Sequence, residues 1–254
     1  MVLKVYPDLE PELKPRAVEL LTQRASWGIS LVSAVESNAI PVSALNVNQI
    51  RRLQGIRDEA LSVRVKALWG TVREGRDRAR EEVVARYRRH VEQTPGDPFQ
   101  GKKVYERVCG QCHKIYGEGQ EVGPDLTSNG RNDLEQLVSN VFDPSLVIGA
   151  GYQATTIATA DGRVLTGLLV EDTNLRVVLK QQGGKVETIH RKDIEEQRIS
   201  EVSLMPEDLD KQLQPQEIAD LFAFLGLDRP PTDPSARRLP GLPEPRSRPG
   251  AGGR

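Results

Sequence analysis

The sequence predicts a mainly α-helical protein that also carries a small antiparallel β unit. Apolar residues recur at helical spacing through most of residues 8–94 and again in residues 214–225. Residues 152–200 instead contain short alternating runs, separated by turn-forming pairs such as Asp161-Gly162. These patterns predict helices toward both ends of the chain, with the strands inserted between them.

Composition narrows the classes of protein that the chain can represent. With 254 residues it has room for one large domain or two smaller ones. Only 37% of the residues are hydrophobic and 4% are aromatic, so side chains alone give a thin core. Basic and acidic residues number 35 and 36, which argues against nucleic acid as the main partner. No run of about 18 apolar residues is present, so no membrane span is predicted.

Residues 1–95 are predicted to form a helical region, because paired helices of this length are typical of a repeat stack. The last of these helices, over residues 72–91, is rich in Arg and Glu. That composition favours a solvent-exposed face with i,i+4 ion pairs, and a basic stripe that docks a partner is the alternative. The Pro- and Gly-rich segment 94–98 then marks a domain boundary.

Residues 96–228 are predicted to form a second domain in which helices flank the β unit of residues 152–200. The predicted helices span residues 101–110, 133–141 and 214–225, and the predicted strands span residues 154–159, 164–170, 176–180 and 186–190. Residues 229–254 are rich in Pro, Gly and Arg and poor in large apolar groups, so we expect a disordered tail.

The segment Cys109-Gly110-Gln111-Cys112-His113 is a C-x-x-C-H motif, the attachment site of a c-type haem. Two sulfurs at this spacing form thioethers to one porphyrin, and the adjacent imidazole becomes an axial ligand. A zinc site would need about four ligands, but the chain has no second cysteine pair. A thioredoxin-like thiol pair would need a βαβ context. We therefore predict one covalent haem c on Cys109 and Cys112, with His113 bound to the iron.

Met205 is the predicted sixth ligand of the iron. It lies in a Ser-Leu-Met-Pro loop ahead of the last helix, and Pro206 stiffens that loop. A lone methionine that fills a gap in the core is the alternative. His190, in a strand-like run, is the rival ligand, whereas His90 is expected at the surface of a charged helix.

Several other residues are predicted to support the haem pocket. The carbonyl of Pro124 is the candidate acceptor for the second ring nitrogen of His113, and a simple Gly-Pro turn is the alternative. We expect Arg131 to pair with a haem propionate, and Tyr105 and Phe222 to pack where the first and last helices of the domain cross. No arrangement of side chains typical of catalysis is recognised, so we expect an electron carrier rather than an enzyme.

These motifs together resemble a class I cytochrome c. More narrowly, residues 96–226 are similar to the haem-binding domain that closes many large membrane-bound or secreted dehydrogenases of planctomycetes and verrucomicrobia, and the preceding helices resemble HEAT-like repeats. The matching landmarks are Gly123-Pro124-Asp125-Leu126-Thr127, Asp143-Pro144-Ser145, Gly151-Tyr152, Asp161-Gly162 and Ser203-Leu204-Met205-Pro206. The long stretch between His113 and Met205 departs from ordinary class I cytochromes, and the dehydrogenase portion is missing.

The resemblance implies thioether anchors at Cys109 and Cys112, axial ligands His113 and Met205, and one-electron transfer. It also implies a fused or partner dehydrogenase as the donor, a cytochrome or oxidase as the acceptor, and a periplasmic or otherwise exported location. Residues 1–8 lack the apolar core of a signal peptide, so we expect a fragment, a misplaced start or a fusion behind an exported partner. The alternatives are a haem enzyme or sensor with an open sixth site, and an interaction module with a structural haem.

Overall fold

The computed structural model describes residues 2–10, 13–45, 47–73, 75–127, 131, 133–149 and 151–246. The chain divides into two compact units, residues 1–76 with 145–153 and residues 77–144 with 154–254. The helices are α1 (Val2–Val5), α2 (Lys14–Leu21), α3 (Ala25–Glu36), α4 (Val47–Gln54), α5 (Glu59–Trp69), α6 (Arg78–Gln93), α7 (Pro98–Val108), α8 (Leu134–Phe142), α9 (Leu209–Gln212) and α10 (Pro215–Leu225). The strands are β1 (Thr71–Val72), β2 (Lys114–Ile115), β3 (Glu118–Gly119), β4 (Val147–Ile148), β5 (Ala154–Thr159), β6 (Val164–Asp172), β7 (Arg176–Lys180), β8 (Val186–His190) and β9 (Ile194–Ile199). Within the described ranges no helix is long and apolar enough to cross a membrane.

The first unit is helical, with a small strand pair. Helices α2 to α5 contribute buried side chains such as Val18, Leu31, Leu53 and Val65, each at most 1% exposed, to one apolar cluster. Strand β1 pairs antiparallel with β4, so residues 145–153 belong to this unit although they follow α8 in the chain. The HEAT-like character of these helices stays a prediction.

Helix α6 belongs to the second unit, whereas the sequence placed its residues in the helical region that ends at residue 95. The ring of Tyr87 stacks on Phe142 of α8, with centroids 4.5 Å apart, and Val91 is 1% exposed in the same apolar cluster. The predicted helix began at residue 72, but α6 begins after Asp77, whose carboxylate accepts a hydrogen bond from the Arg80 amide (3.0 Å). Its many charges concealed one apolar face from the sequence analysis.

Helices α7 and α10 cross closely in the second unit because α7 and the turn before it present glycines. A Cβ atom added to Gly101 would fall well inside contact distance of the Asp220 carbonyl oxygen, and one added to Gly96 would collide with the Ala219 carbonyl. Beyond this crossing the rings of Tyr105 and Phe224 lie 5.4 Å apart. Close backbone approach thus fixes the direction of α7.

The β unit is larger than the sequence indicated. Its sheet has five antiparallel strands in the order β8-β7-β6-β5-β9 around buried Ile157, Val177 and Leu179. The sequence pattern does not reveal β9, because four polar residues separate its two isoleucines and most of its side chains are exposed at the edge of the sheet. The fold class mainly α is therefore too narrow, because a five-stranded sheet accompanies the helices of the described residues. The Ser200 amide donates to the Ala154 carbonyl (2.8 Å), so the chain enters the sheet at β5 and leaves it after β9 at adjacent points.

The tail expected to be disordered is folded against the second unit over residues 229–246, and residues 247–254 lie outside the described ranges. Leu242 is 8% exposed in the apolar cluster of this unit. Arg246 donates from Nη2 to the buried carboxylate of Asp220 (2.9 Å). A few leucines and one arginine therefore hold a segment whose average composition is typical of disorder.

We predict that Gly101→Ala lowers the free energy of unfolding by about 1–3 kcal/mol, because the added methyl group meets a backbone carbonyl that cannot rotate away. Gly75→Ala is the matched control, since no atom lies within 4 Å of a Cβ added there. Urea titration followed by circular dichroism measures both variants. Equal unfolding midpoints for the two would contradict the close crossing.

Candidate haem site

The C-x-x-C-H motif lies at the C-terminal end of α7. Asp97 caps the start of the helix, because its carboxylate accepts a hydrogen bond from the Phe99 amide (2.8 Å). The helix ends at Val108, and the amide of the next residue, Cys109, still donates to the Tyr105 carbonyl (2.8 Å). The Cys109 carbonyl in turn accepts from the His113 amide (2.9 Å), so the motif folds back as a tight turn on the end of the helix.

Both cysteines are free, and each is at least partly shielded from water. Cys109 is 9% exposed in the apolar cluster of the second unit, and Cys112 is half-buried. Burial raises the pKa of the Cys109 thiol to about 12 and also raises the pKa of Cys112. The sulfur atoms are therefore uncharged at neutral pH. A thioether is also uncharged, so this environment fits covalent attachment of an apolar macrocycle.

The imidazole of His113 is held in one tautomer. Its Nδ1 atom lies 2.9 Å from the Pro124 carbonyl oxygen, which is the acceptor that the sequence analysis named. A carbonyl only accepts, so Nδ1 carries the proton and Nε2 keeps its lone pair for a metal. Burial lowers the pKa of His113, which favours the neutral form that ligates iron.

Two glycines and a tyrosine fix the position of His113. A Cβ atom at Gly123 would lie 2.5 Å from the Cε1 atom of the imidazole, so this position leaves room for the ring. Gly119, with φ of +107°, lies against the His113 carbonyl, where a Cβ would collide with the oxygen. The same carbonyl accepts a hydrogen bond from the Tyr105 hydroxyl (2.6 Å). Both the ring and the backbone of His113 are therefore constrained.

Met205 packs, half-buried, against the same apolar cluster as Cys109. Its amide donates to the Ser203 hydroxyl (3.1 Å), which shapes the loop that carries it. The rival His190 is exposed at the end of β8, next to the separate apolar cluster of the sheet. His90, on α6, lies with Nε2 2.8 Å from the Pro215 carbonyl. The arrangement thus brings Met205, rather than His190, to the cluster that contains the motif.

Arg131 was expected to pair with a haem propionate, but in the structure its guanidinium donates hydrogen bonds to the protein backbone. It donates to the carbonyls of Leu126, Thr127 (2.6 Å), Leu225 (2.7 Å) and Leu227. These contacts join the loop after the motif to the end of α10. Five N–H groups in a fixed fork suit several carbonyls at once, which a sequence pattern does not reveal.

The β unit contacts the motif directly, which the sequence analysis missed. The Gly183 amide donates to the Gln111 carbonyl (2.9 Å), and the Gln182 side chain donates to Oε1 of Gln111 (2.8 Å). Gln111 lies between the two cysteines, so the turn between β7 and β8 contacts this side of the motif. Its only sequence signal is a Gly-Gly pair, and both glycines have φ of +75°.

Comparison with known proteins agrees with this geometry. Residues 100–161 match the family model described as Cytochrome c. The matched segment includes most of α7, the motif and the loop that holds His113. A search of the curated proteins finds no match. The chain therefore contains a cytochrome c-like domain, a kind of module that binds haem and transfers electrons.

Proposed function

We propose that the chain is a c-type cytochrome module that transfers single electrons through one haem, attached at Cys109 and Cys112 and ligated by His113 and Met205. The observation that carries this proposal is the hydrogen bond from His113 Nδ1 to the Pro124 carbonyl, directly after buried Cys109 and half-buried Cys112. This hydrogen bond leaves the lone pair of Nε2 available to bind a metal ion. The family match over residues 100–161 supports the same chemistry.

When bound, the haem supplies reversible one-electron exchange at its iron. The chain's own residues then have three tasks. Cys109 and Cys112 would hold the macrocycle covalently, and Cys109 lies in the apolar cluster of the second unit. Pro124 orients His113 and raises the electron donation of Nε2. Met205 provides a thioether, and His/Met ligation raises the reduction potential.

The proposed partners are proteins that exchange electrons. A fused or separate dehydrogenase would act as the donor, and another cytochrome or an oxidase as the acceptor. Contacts of this kind are typically small and transient. Because thioether attachment of haem takes place outside the cytoplasm in most systems, we propose a periplasmic or otherwise exported location.

Covalent haem attachment is the first test of the proposal. We expect protein made in an exporting host with haem-attachment machinery to give a c-type pyridine haemochrome, with one haem per chain that survives denaturation. Cys109→Ser together with Cys112→Ser should lose covalent haem. Met205→Leu, which leaves both sulfurs in place, is the control and should retain it. Colourless wild-type protein after correct export would refute the proposal.

Ligation by Met205 has a separate test. Met205→Leu keeps the side-chain volume but removes the sulfur, so we expect loss of the methionine-to-iron charge-transfer band. The midpoint potential should fall by roughly 100 mV, a fraction of the range of about 0.8 V that axial ligands span. Val202→Ala, at a 56% exposed position of the same loop, should change neither quantity. An unchanged spectrum in Met205→Leu would show that another group binds the iron.

A further inference from the structure

The loop that carries Met205 is held from one side by α6. Arg80 lies in the first turn of this helix, and its side chain is only 15% exposed. Its Nη1 group donates to the Glu207 carbonyl, two residues after Met205. The same group lies 3.4 Å from the Phe142 carbonyl at the end of α8 and 3.6 Å from the Asp210 carboxylate. One guanidinium thus joins two helices to the ligand loop.

The carboxylate of Asp210 adds a buried charge beside this contact, and Arg80 lies at ion-pair distance from it without a hydrogen bond. The Asp210 side chain is 5% exposed, so its charge requires a nearby cation. Arg80 and Arg86 both approach it, but Arg86 is 58% exposed and lies 3.3 Å from the other carboxylate oxygen. The Tyr87 hydroxyl donates to the Asp210 carbonyl (3.2 Å), which adds a second bond from α6 to the same segment. Of the two arginines, the structure gives Arg80 the buried position.

These contacts limit the movement of Met205 because the backbone from Met205 to Glu207 is stiff. Pro206 stands between Met205 and Glu207 and restricts the backbone at that point. Leu209, 3% exposed, fixes the next turn in the apolar cluster. With the Glu207 carbonyl fixed by Arg80, Met205 has few backbone conformations left to explore.

We propose that Arg80 is a positioning residue for the axial ligand Met205, so that α6 stabilises the sixth coordination bond of the haem. The inference rests on the proposed ligation by His113 and Met205 and adds a residue outside the segment that matches the cytochrome c family. A positioned ligand resists displacement by external ligands. A loosened loop instead lets an external ligand compete with the thioether.

The test compares purified haem-containing wild-type protein with Arg80→Ala, Arg80→Lys and Arg86→Ala. We expect Arg80→Ala to raise the association constant of imidazole for the ferric protein at least tenfold, measured by visible absorption. Arg80→Lys should give an intermediate value, because it keeps the charge but loses the fork. Arg86→Ala removes an exposed arginine from the same carboxylate and should stay within twofold of wild type.

Amide hydrogen exchange gives a second measurement that does not depend on the haem spectrum. In Arg80→Ala, residues 205–210 should exchange faster, whereas the segment around Cys109 should exchange as in wild type. Equal imidazole binding and equal exchange in Arg80→Ala and Arg86→Ala would overturn the role of Arg80. If Arg80→Ala does not yield folded protein, Arg80→Lys decides, and a wild-type imidazole constant there overturns the inference.

Failure of the ligation itself has a different signature. An unchanged spectrum in Met205→Leu removes the proposed ligand, and the role of Arg80 falls with it. Loss of the charge-transfer band in Met205→Leu, combined with wild-type behaviour of Arg80→Ala, leaves the ligation intact and overturns only the role of Arg80.

Discussion

The close crossing of α7 and α10 is the constraint on which the rest of the second unit depends. The backbone of α10 touches the backbone at Gly96 and Gly101, and this contact sets the distance and the crossing angle between the helices. The direction of α7 places Cys109 in the apolar cluster, and the motif turns back from there. Asp220, at the crossing, accepts from the Asp97 amide (2.8 Å) and from Arg246, so the start of α7 and the tail meet at one carboxylate.

The candidate haem site combines support from nearby residues with support from distant ones. His113 is oriented by residues close to it in the chain, because Pro124, Gly123 and Tyr105 all lie within a short segment. Met205 is supported by residues far from it, since α6 precedes it by more than a hundred positions. The two proposed axial ligands are therefore stabilised by different parts of the second unit.

The sequence predicted those features that depend on neighbours in the chain. The C-x-x-C-H motif, the turn at Pro124 and the hairpin strands are all short-range patterns, and the structure contains each of them. Helix α6 was assigned to the wrong neighbours because a charged helix does not reveal which partner covers its narrow apolar face. The tail was misjudged since burial of Leu242 depends on a site that only the folded unit provides. Contacts between residues far apart in the chain are therefore not predictable from such local patterns.

The chain enters and leaves the five-stranded sheet at adjacent points. This has a consequence for the entropy of closing the loop between His113 and Met205. Between His113 and Met205 lie 91 residues, and a flexible ring of that size is harder to close than a short one, by about 0.6 kcal/mol for each doubling of length. Because Ala154 and Ser200 are joined by a hydrogen bond, the folded sheet adds almost nothing to the flexible span. A whole β unit therefore lies within the loop at almost no entropic cost to the proposed coordination by Met205.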